Sequence, residues 1–181
     1  MPSEFEYCNI APLGPKKARS LWSILAPIIF GLGISVTLVA PTRSWATTDI
    51  TDKGPNGLPI IFWRIEQDDR PAVKALLAAG VDIEIKGFQQ QTPVLWAASA
   101  NAWITTLMLI ELGADLRASD RMGFTLPWLA QKARMVEKSP EGRALAEVTA
   151  HLAAQGLMQR IYTPDEVKAL TSRNAWPPAG W

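Results

Sequence analysis

The chain repeats its own pattern at an interval of 33 residues, and this feature constrains the fold more than any other. Residues 59–83 align without a gap on residues 92–116. Matched positions keep tryptophan, leucine, glycine or aspartate in both copies, at Trp63 and Trp96, Leu76 and Leu109, Gly80 and Gly113, and Asp82 and Asp115. A second step of 33 residues takes Thr92 to Thr125, so a third, more degenerate copy follows. Such a period is typical of repeat architectures, in which each unit buries its apolar face on its neighbours.

Each copy has the local signals of two helices followed by a stop. Thr92 precedes Pro93 where a first helix begins, because a threonine hydroxyl can cap free amides and proline is tolerated in the first turn. The second helix has an apolar stripe for burial, at Leu107, Leu109 and Ile110. Gly80 and Gly113 follow second helices, where a left-handed residue ends the helix. The body is therefore predicted to be a stack of helix pairs, with a generic bundle of helical hairpins as the main alternative.

Segments in and after the middle unit carry a family resemblance: TPVLWAA at residues 92–98, GADL at 113–116 and DRMGFTL at 120–126. They resemble the ankyrin repeat family, whose units read T-P-L-H-x-A-A, G-A-D-V-N and D-x-x-G-x-T-P-L. The resemblance implies an all-α fold, an ankyrin-type helical repeat solenoid of about three helix pairs plus a C-terminal capping helix. It divides the body, 47–156, into units at about 54–86, 87–119 and 120–156, followed by a cap and tail at 157–181.

The chain departs from the family pattern at the histidine that follows T-P-L. Apolar residues stand there in all three units, at Phe62, Leu95 and Trp128. The histidine hydrogen bonds of the family are therefore missing, and apolar packing must replace them. Ala97 and Ala98 keep the small residues of the family, which allow a neighbouring helix to approach closely.

The third unit is longer than the others, because Gly113 and Gly156 are 43 residues apart rather than 33. A polar loop at 138–143 accounts for the difference, and it predicts the helices of this unit at about 128–137 and 144–155. A last helix is predicted from Thr163 to about Leu170, because a capping hydroxyl, a proline and two acids open it. It is the predicted C-terminal cap, since the end of a solenoid exposes an apolar face.

The first 46 residues have the three parts of a secretory signal peptide. Basic residues precede an uncharged apolar run at 21–40, and Ser44 and Ala46 form a small-x-small site for cleavage after Ala46. The run would span about 30 Å, so an uncleaved inner-membrane anchor with a cytoplasmic N-terminus is the alternative. A buried core helix is the third interpretation, which Pro27 disfavours. Either of the first two places the body outside the cytoplasm, and the bacterial periplasm is the predicted compartment.

Charge and residue usage exclude several classes of function. Eighteen Lys and Arg against 17 Asp and Glu leave a net charge of +1, which argues against a nucleic-acid partner. The single Cys8 and single His151 allow no internal disulfide and no zinc site of their own, and no phosphate-binding loop or nucleophile motif is present. We therefore predict no metal, no cofactor, no catalytic residue and no enzyme. His151 is interpreted as an ordinary helix residue, and Asp68-Asp69 as a solvated turn with a helix cap.

The resemblance implies that a partner protein binds the concave face, which the projecting turns and the first helix of each pair form. These turns lie at 53–58, 86–91 and 119–124. The predicted contacts combine polar and apolar side chains, at Lys86, Phe88, Gln89, Gln90, Asp120, Arg121 and Met122. The alternative is that these stretches only connect the units.

Tryptophans complete the set of candidate contacts. Trp103, expected in the short link between two helices, and Trp181 in the tail are predicted interface anchors. Trp63 and Trp96, at matched positions, are predicted to stack between units. The resemblance suggests an exported interaction module with an immunity or accessory role toward an effector or enzyme of the envelope. The alternatives are a structural scaffold anchored through 21–40 and, less favoured, an enzyme with an unrecognised site.

Overall fold

A computed structural model describes residues 51–181, and the predicted signal peptide at 1–46, with the apolar run at 21–40, lies outside that range. The described part is all-α, as predicted, with no β-strand. Its helices are α1 (Ile60–Glu66), α2 (Arg70–Ala78), α3 (Pro93–Ser99), α4 (Trp103–Glu111), α5 (Leu126–Lys132), α6 (Pro140–Ala154) and α7 (Pro164–Thr171). None of these helices is long and apolar enough to cross a membrane.

The helices repeat with the interval that the sequence predicts. α1, α3 and α5 each have seven residues and begin 33 residues apart, and α2 and α4 are related by the same step. Trp63 and Trp96 are each the fourth residue of their helix, so they occupy equivalent places. Gly80 and Gly113 are left-handed, with φ of 101° and 96°, directly after the second helices. The described chain is therefore a helical repeat.

Three projecting turns, which we call fingers 1 to 3 (residues 53–58, 86–91 and 119–124), also repeat. In each finger one backbone N–H bonds a carbonyl four residues ahead: Gly54 to Leu58, Gly87 to Gln91 and Asp120 to Phe124, at 2.8, 2.8 and 3.1 Å. A left-handed residue stands at the same place in each finger: Gly57, Gln90 and Gly123, with φ of 75°, 63° and 83°. Glutamine therefore adopts in finger 2 a conformation that glycine supplies in the other two.

The core is continuous through the units. α1 packs on α2 and α3, α3 packs on α4 and α5, and α6 packs on α4 and α5. Ala97 and Ala98 are buried on α3, where small side chains allow this close packing. Phe62 and Leu95 are also fully buried, so both contribute to this apolar packing, as the sequence predicts. Trp128 differs because it is half-buried, with Lys132 Nζ 4.7 Å from its ring centre.

The two central helix starts use their threonines differently. Thr125 Oγ1 accepts from Trp128 N at 3.4 Å and caps α5, whereas the expected cap by Thr92 on α3 is wrong. Thr92 is fully buried, and its hydroxyl has no hydrogen-bond partner within residues 51–181. Nothing in the described part of the chain replaces the lost cap at this hydroxyl.

Side chains also join the units through hydrogen bonds. Thr105 Oγ1 donates to Asp68 Oδ1 at 3.1 Å, and Asp115 N donates to Glu84 Oε1 at 2.7 Å. Burial raises the pKa of Glu84, while the hydrogen bond from Asp115 lowers it and so opposes this effect. The first and second units are therefore joined by polar contacts as well as by the core.

The third unit corrects the predicted helix boundaries. α5 ends at Lys132 rather than near 137, and α6 begins at Pro140 rather than at 144. Ser139 caps α6 by accepting from Gly142 N at 2.9 Å, so residues 140–143 of the predicted loop are the first turn of a helix. A Cβ at Gly142 would overlap the carbonyl of Val136, so the segment between α5 and α6 packs closely against the first turn of α6.

The chain after Gly156 packs on the third unit. Helix α7 has a complete capping box between Thr163 and Glu166, which confirms its predicted start, and it ends one residue later than predicted. A Cβ at Gly123 would overlap the backbone of Pro164, so α7 begins directly on finger 3. Trp181 is buried and its Nε1 donates to Arg160 O at 2.8 Å, so its predicted role as an exposed anchor is wrong.

Candidate functional site

A groove of about 400 Å³ opens beside fingers 2 and 3 and the C-terminal ends of α1 and α3. Both structural components of the predicted binding face, projecting turns and first helices, contribute to it. Its lining consists of Glu66, Phe88, Gln89, Gln91, Trp96, Ser99, Ala100, Asp120, Met122 and Phe124. We refer to it below as the groove.

Fingers 2 and 3 are bonded to each other beside the groove. Arg121 N donates to Gln89 O at 2.7 Å, and Gln91 Nε2 donates to Asp120 Oδ2 at 3.0 Å. The other oxygen of Asp120 accepts from Met122 N and from the amide of residue 124, at 2.9 and 2.8 Å. Asp120 is 7% exposed, so a buried carboxylate fixes the shape of this wall. Hydrogen bonds between fingers 2 and 3, and within finger 3, therefore hold the wall of the groove in place.

The walls of the groove are apolar, and part of that surface is open to solvent. Phe88 is 60% exposed and Met122 is 46% exposed, and they come from adjacent fingers. Trp96 and Phe124 are half-buried behind them. The edge of Trp96 meets Phe62 with ring centres 5.3 Å apart, which fixes the indole against α1. The expected contact of Trp96 between units is thus made with Phe62.

Acids are the sole ionisable groups in the lining. Glu66 is exposed at the end of α1, and its carboxylate has no hydrogen bond or ion pair within residues 51–181. Asp120 is satisfied by the three donors described above. Ser99 and the amides of Gln89 and Gln91 are the other polar side chains. The groove therefore combines an apolar wall with an unpaired negative charge.

The predicted contact residues divide into groups. Four of them line the groove: Phe88, Gln89, Asp120 and Met122. Three are exposed on the same fingers without lining it: Lys86, Gln90 and Arg121. Gln91, in the predicted turn at 86–91, also lines it. The structure adds lining residues that sequence reasoning did not name as contacts: Glu66, Trp96, Ser99, Ala100 and Phe124. Of these, Phe124 lies inside a predicted turn, whereas the ends of α1 and α3 carry no local signal.

Trp103 is a correction. It is 1% exposed, so it is a core residue and not an interface anchor. The expected position in a link fails because α4 begins at Trp103 itself, and the left-handed Asn101 turns the chain just before it. Its side chain belongs to the same buried apolar cluster as the rest of the core.

The residues that the sequence considered for metal binding or catalysis have ordinary surroundings in the described part of the chain. Among residues 51–181, no group of three His, Cys, Asp or Glu side chains could hold a metal ion. His151 is exposed on α6, and Asp69 accepts from Ala72 N at 3.2 Å as the cap of α2, which was its predicted role.

The fold and the groove together define a helical repeat protein with an open apolar groove at its fingers. No protein-family model matches the chain, and no curated protein is similar to it. The function is therefore argued from the geometry of the site.

Proposed function

We propose that the chain is an exported ankyrin-type interaction module that binds another protein through the groove and the surrounding fingers. The observation that carries the proposal is the pair Phe88 and Met122, two large apolar side chains held open to solvent on fingers that are bonded to each other. Exposed apolar side chains that converge on one depression are typical of interaction sites.

The ankyrin assignment rests on agreement between motif and geometry. The segments that resemble the family fall at the places where the repeat needs them: TPVLWAA on α3, GADL after α4 and DRMGFTL on finger 3 and the start of α5. Each finger has the same backbone bond and the same left-handed position. This agreement supports an ankyrin-type solenoid over a generic helical bundle.

The physics of a repeat favours a binding role. A bonded finger pair loses little conformational freedom when it meets a partner, so more of the contact energy remains as affinity. Burying the exposed parts of Phe88 and Met122 contributes roughly 1 kcal/mol each, from the apolar area that leaves water. Few residues of this kind usually carry most of the binding energy of an interface.

The cellular role follows from the leader. Residues 1–46 have the features of a signal peptide, so we propose the periplasm as the compartment and an immunity or accessory role toward an effector or enzyme there. The competing proposal is a scaffold that the 21–40 run anchors in the inner membrane. The mass of the mature chain, which shows where its N-terminus lies, separates these proposals. A chain that starts at Thr47 supports release, and one that retains Leu21 in membranes supports the anchor.

The binding role is tested by capture from an envelope extract with the protein in the form that the cell produces. We expect a dominant partner that is lost from the Phe88→Ser/Met122→Ser variant. The matched control is Leu112→Ser/Val136→Ser, because those two apolar side chains are also exposed but do not line the groove. Equal capture by both variants, or capture by neither the wild type nor the control, would contradict the proposal.

A further inference from the structure

We infer that the groove takes a partner segment in which an apolar side chain lies close to a lysine or arginine, with the cation paired to Glu66. This inference rests on the proposed function and names the chemistry of the partner. It excludes a segment of acidic character as the preferred occupant.

The apolar half of the segment follows from the walls. A volume of about 400 Å³ lies near the lower end of the range for binding pockets, so the groove admits one or two side chains rather than a folded surface. Phe88 and Met122 present apolar surface on the two fingers, and the half-buried Trp96 presents the face of a helix. An apolar side chain of the partner would therefore cover surface that is now exposed to water.

The cationic half follows from the charges around Glu66. The cations closest to Glu66 along the sequence are already paired with other acids. Arg64 pairs with Asp69 at 3.4 Å, and Asp69 is also the cap of α2. Arg70 likewise pairs with Asp68 at 3.4 Å. Three acids thus meet two cations at the turn between α1 and α2, and Glu66 is the acid without a partner.

The position of Glu66 increases its affinity for a cation. It is the last residue of α1, where the free carbonyls give the helix end a partial negative charge. Asp120 adds a second carboxylate to the lining, and no lysine or arginine belongs to it. Lys86 and Arg121 are exposed on the same fingers but outside the lining. The lining itself therefore carries two carboxylates and no cation.

Polar groups are available for the backbone of an extended segment. The Ser99 hydroxyl and the Gln89 side-chain amide line the groove and have no hydrogen-bond partner in the described part of the chain. Each can bond a peptide carbonyl or N–H beside the apolar side chain. A short extended peptide satisfies these groups, the walls and Glu66 together, which a small apolar molecule does not.

The test is a selection of short random peptides, displayed on phage, against the protein purified in the form that the cell produces. We expect the enriched peptides to share an apolar or aromatic residue with a lysine or arginine a few positions away. For a labelled peptide of this set, Glu66→Gln is expected to lower the affinity about fivefold, less at high salt. Met122→Ser is expected to lower it about tenfold, through lost apolar contact.

Glu111→Gln is the matched control, because Glu111 is also an exposed acid at the end of a helix but does not line the groove. It is expected to leave the affinity unchanged. Enriched peptides without cations, no enrichment at all, or equal affinity for wild type and Glu66→Gln would overturn the inference. The failures are distinguishable: if Phe88→Ser/Met122→Ser still loses the envelope partner, protein binding stands and only the cation preference is refuted.

Discussion

Glu141 of α6 caps the neighbouring helix α4, because its Oε2 accepts a hydrogen bond from the backbone N–H of Ile104 at 3.0 Å. Helix α4 has no cap of its own, since Ala102 stands before it. The equivalent residue before α2 is Asp69, which has nearly the same backbone angles and caps its own helix. The cap of α4 thus comes from a helix of the third unit, whereas the cap of α2 comes from the residue directly before that helix.

Removal of this cap is expected to destabilise the repeat. Glu141→Ala should lower the free energy of unfolding by about 1 kcal/mol, the usual cost of a lost helix cap. Ala102→Asp in that background should restore part of the loss, because Ala102 has φ −83° and ψ 69° against −83° and 67° for Asp69. Urea unfolding measures both effects, and Glu147→Ala, an exposed position on α6, is the control. A Glu141→Ala variant as stable as the control would refute the capping role.

The buried hydroxyl of Thr92 predicts a stabilising substitution. Thr92→Val removes a polar group that is fully buried without a partner, so it should raise the free energy of unfolding by about 1 kcal/mol. Thr125→Val should lower it by a similar amount, because the same residue type caps α5 one unit later. Thermal unfolding of the two variants should therefore shift in opposite directions. Shifts of the same sign would contradict the different roles assigned to the two threonine hydroxyls.

Finger 2 contains a left-handed residue that is not glycine. Gln90→Gly should stabilise the fold by roughly 0.5–1 kcal/mol, because glutamine at φ 63° is strained and glycine is not. The reverse change at the equivalent place, Gly57→Gln, should destabilise it by about the same amount, since nothing lies near its Cβ and only the backbone is affected. Chemical unfolding measures both, and a destabilised Gln90→Gly variant would show that the glutamine side chain matters more than its backbone.

The capping box of α7 makes stability depend on pH. Hydrogen bonds from the Thr163 backbone and hydroxyl lower the pKa of Glu166, and its neighbour Asp165 has a pKa lowered by Lys168. A lowered pKa in the folded state means that the stabilisation is present at neutral pH and is lost as the pH falls through that pKa. The melting temperature should therefore fall less between neutral pH and about pH 3 in Glu166→Gln than in wild type. An equal fall would show that Glu166 contributes nothing to this dependence.

The repeat could be predicted because its signals are local and recur. Paired glycines at the ends of second helices and Thr-Pro at a helix start carry their conformation wherever they occur. The boundaries in the third unit could not be predicted in the same way, since Ser139-Pro140 begins a helix inside a stretch that looks like a polar loop. The burial of Trp103 could not be predicted, because it depends on how the helices pack together, which no local pattern describes.

The groove was only half predictable. Phe88 and Met122 belong to turns whose projection follows from the repeat, so their role as candidate contacts could be inferred. Glu66 could not, because a glutamate at a helix end is usually a solvated residue. Glu66 is left without a cation because Arg64 and Arg70 pair with other acids, and only the distances in the structure show these pairs.

The central claim is that the groove contacts a partner protein, and crosslinking inside the cell tests it most directly. A photoreactive amino acid in place of Phe88 or Met122 should give one discrete crosslinked product in the envelope fraction. The same amino acid in place of Val136, which is 74% exposed outside the groove, should give none. Products from position 136 alone, or from none of the three positions, would contradict the account.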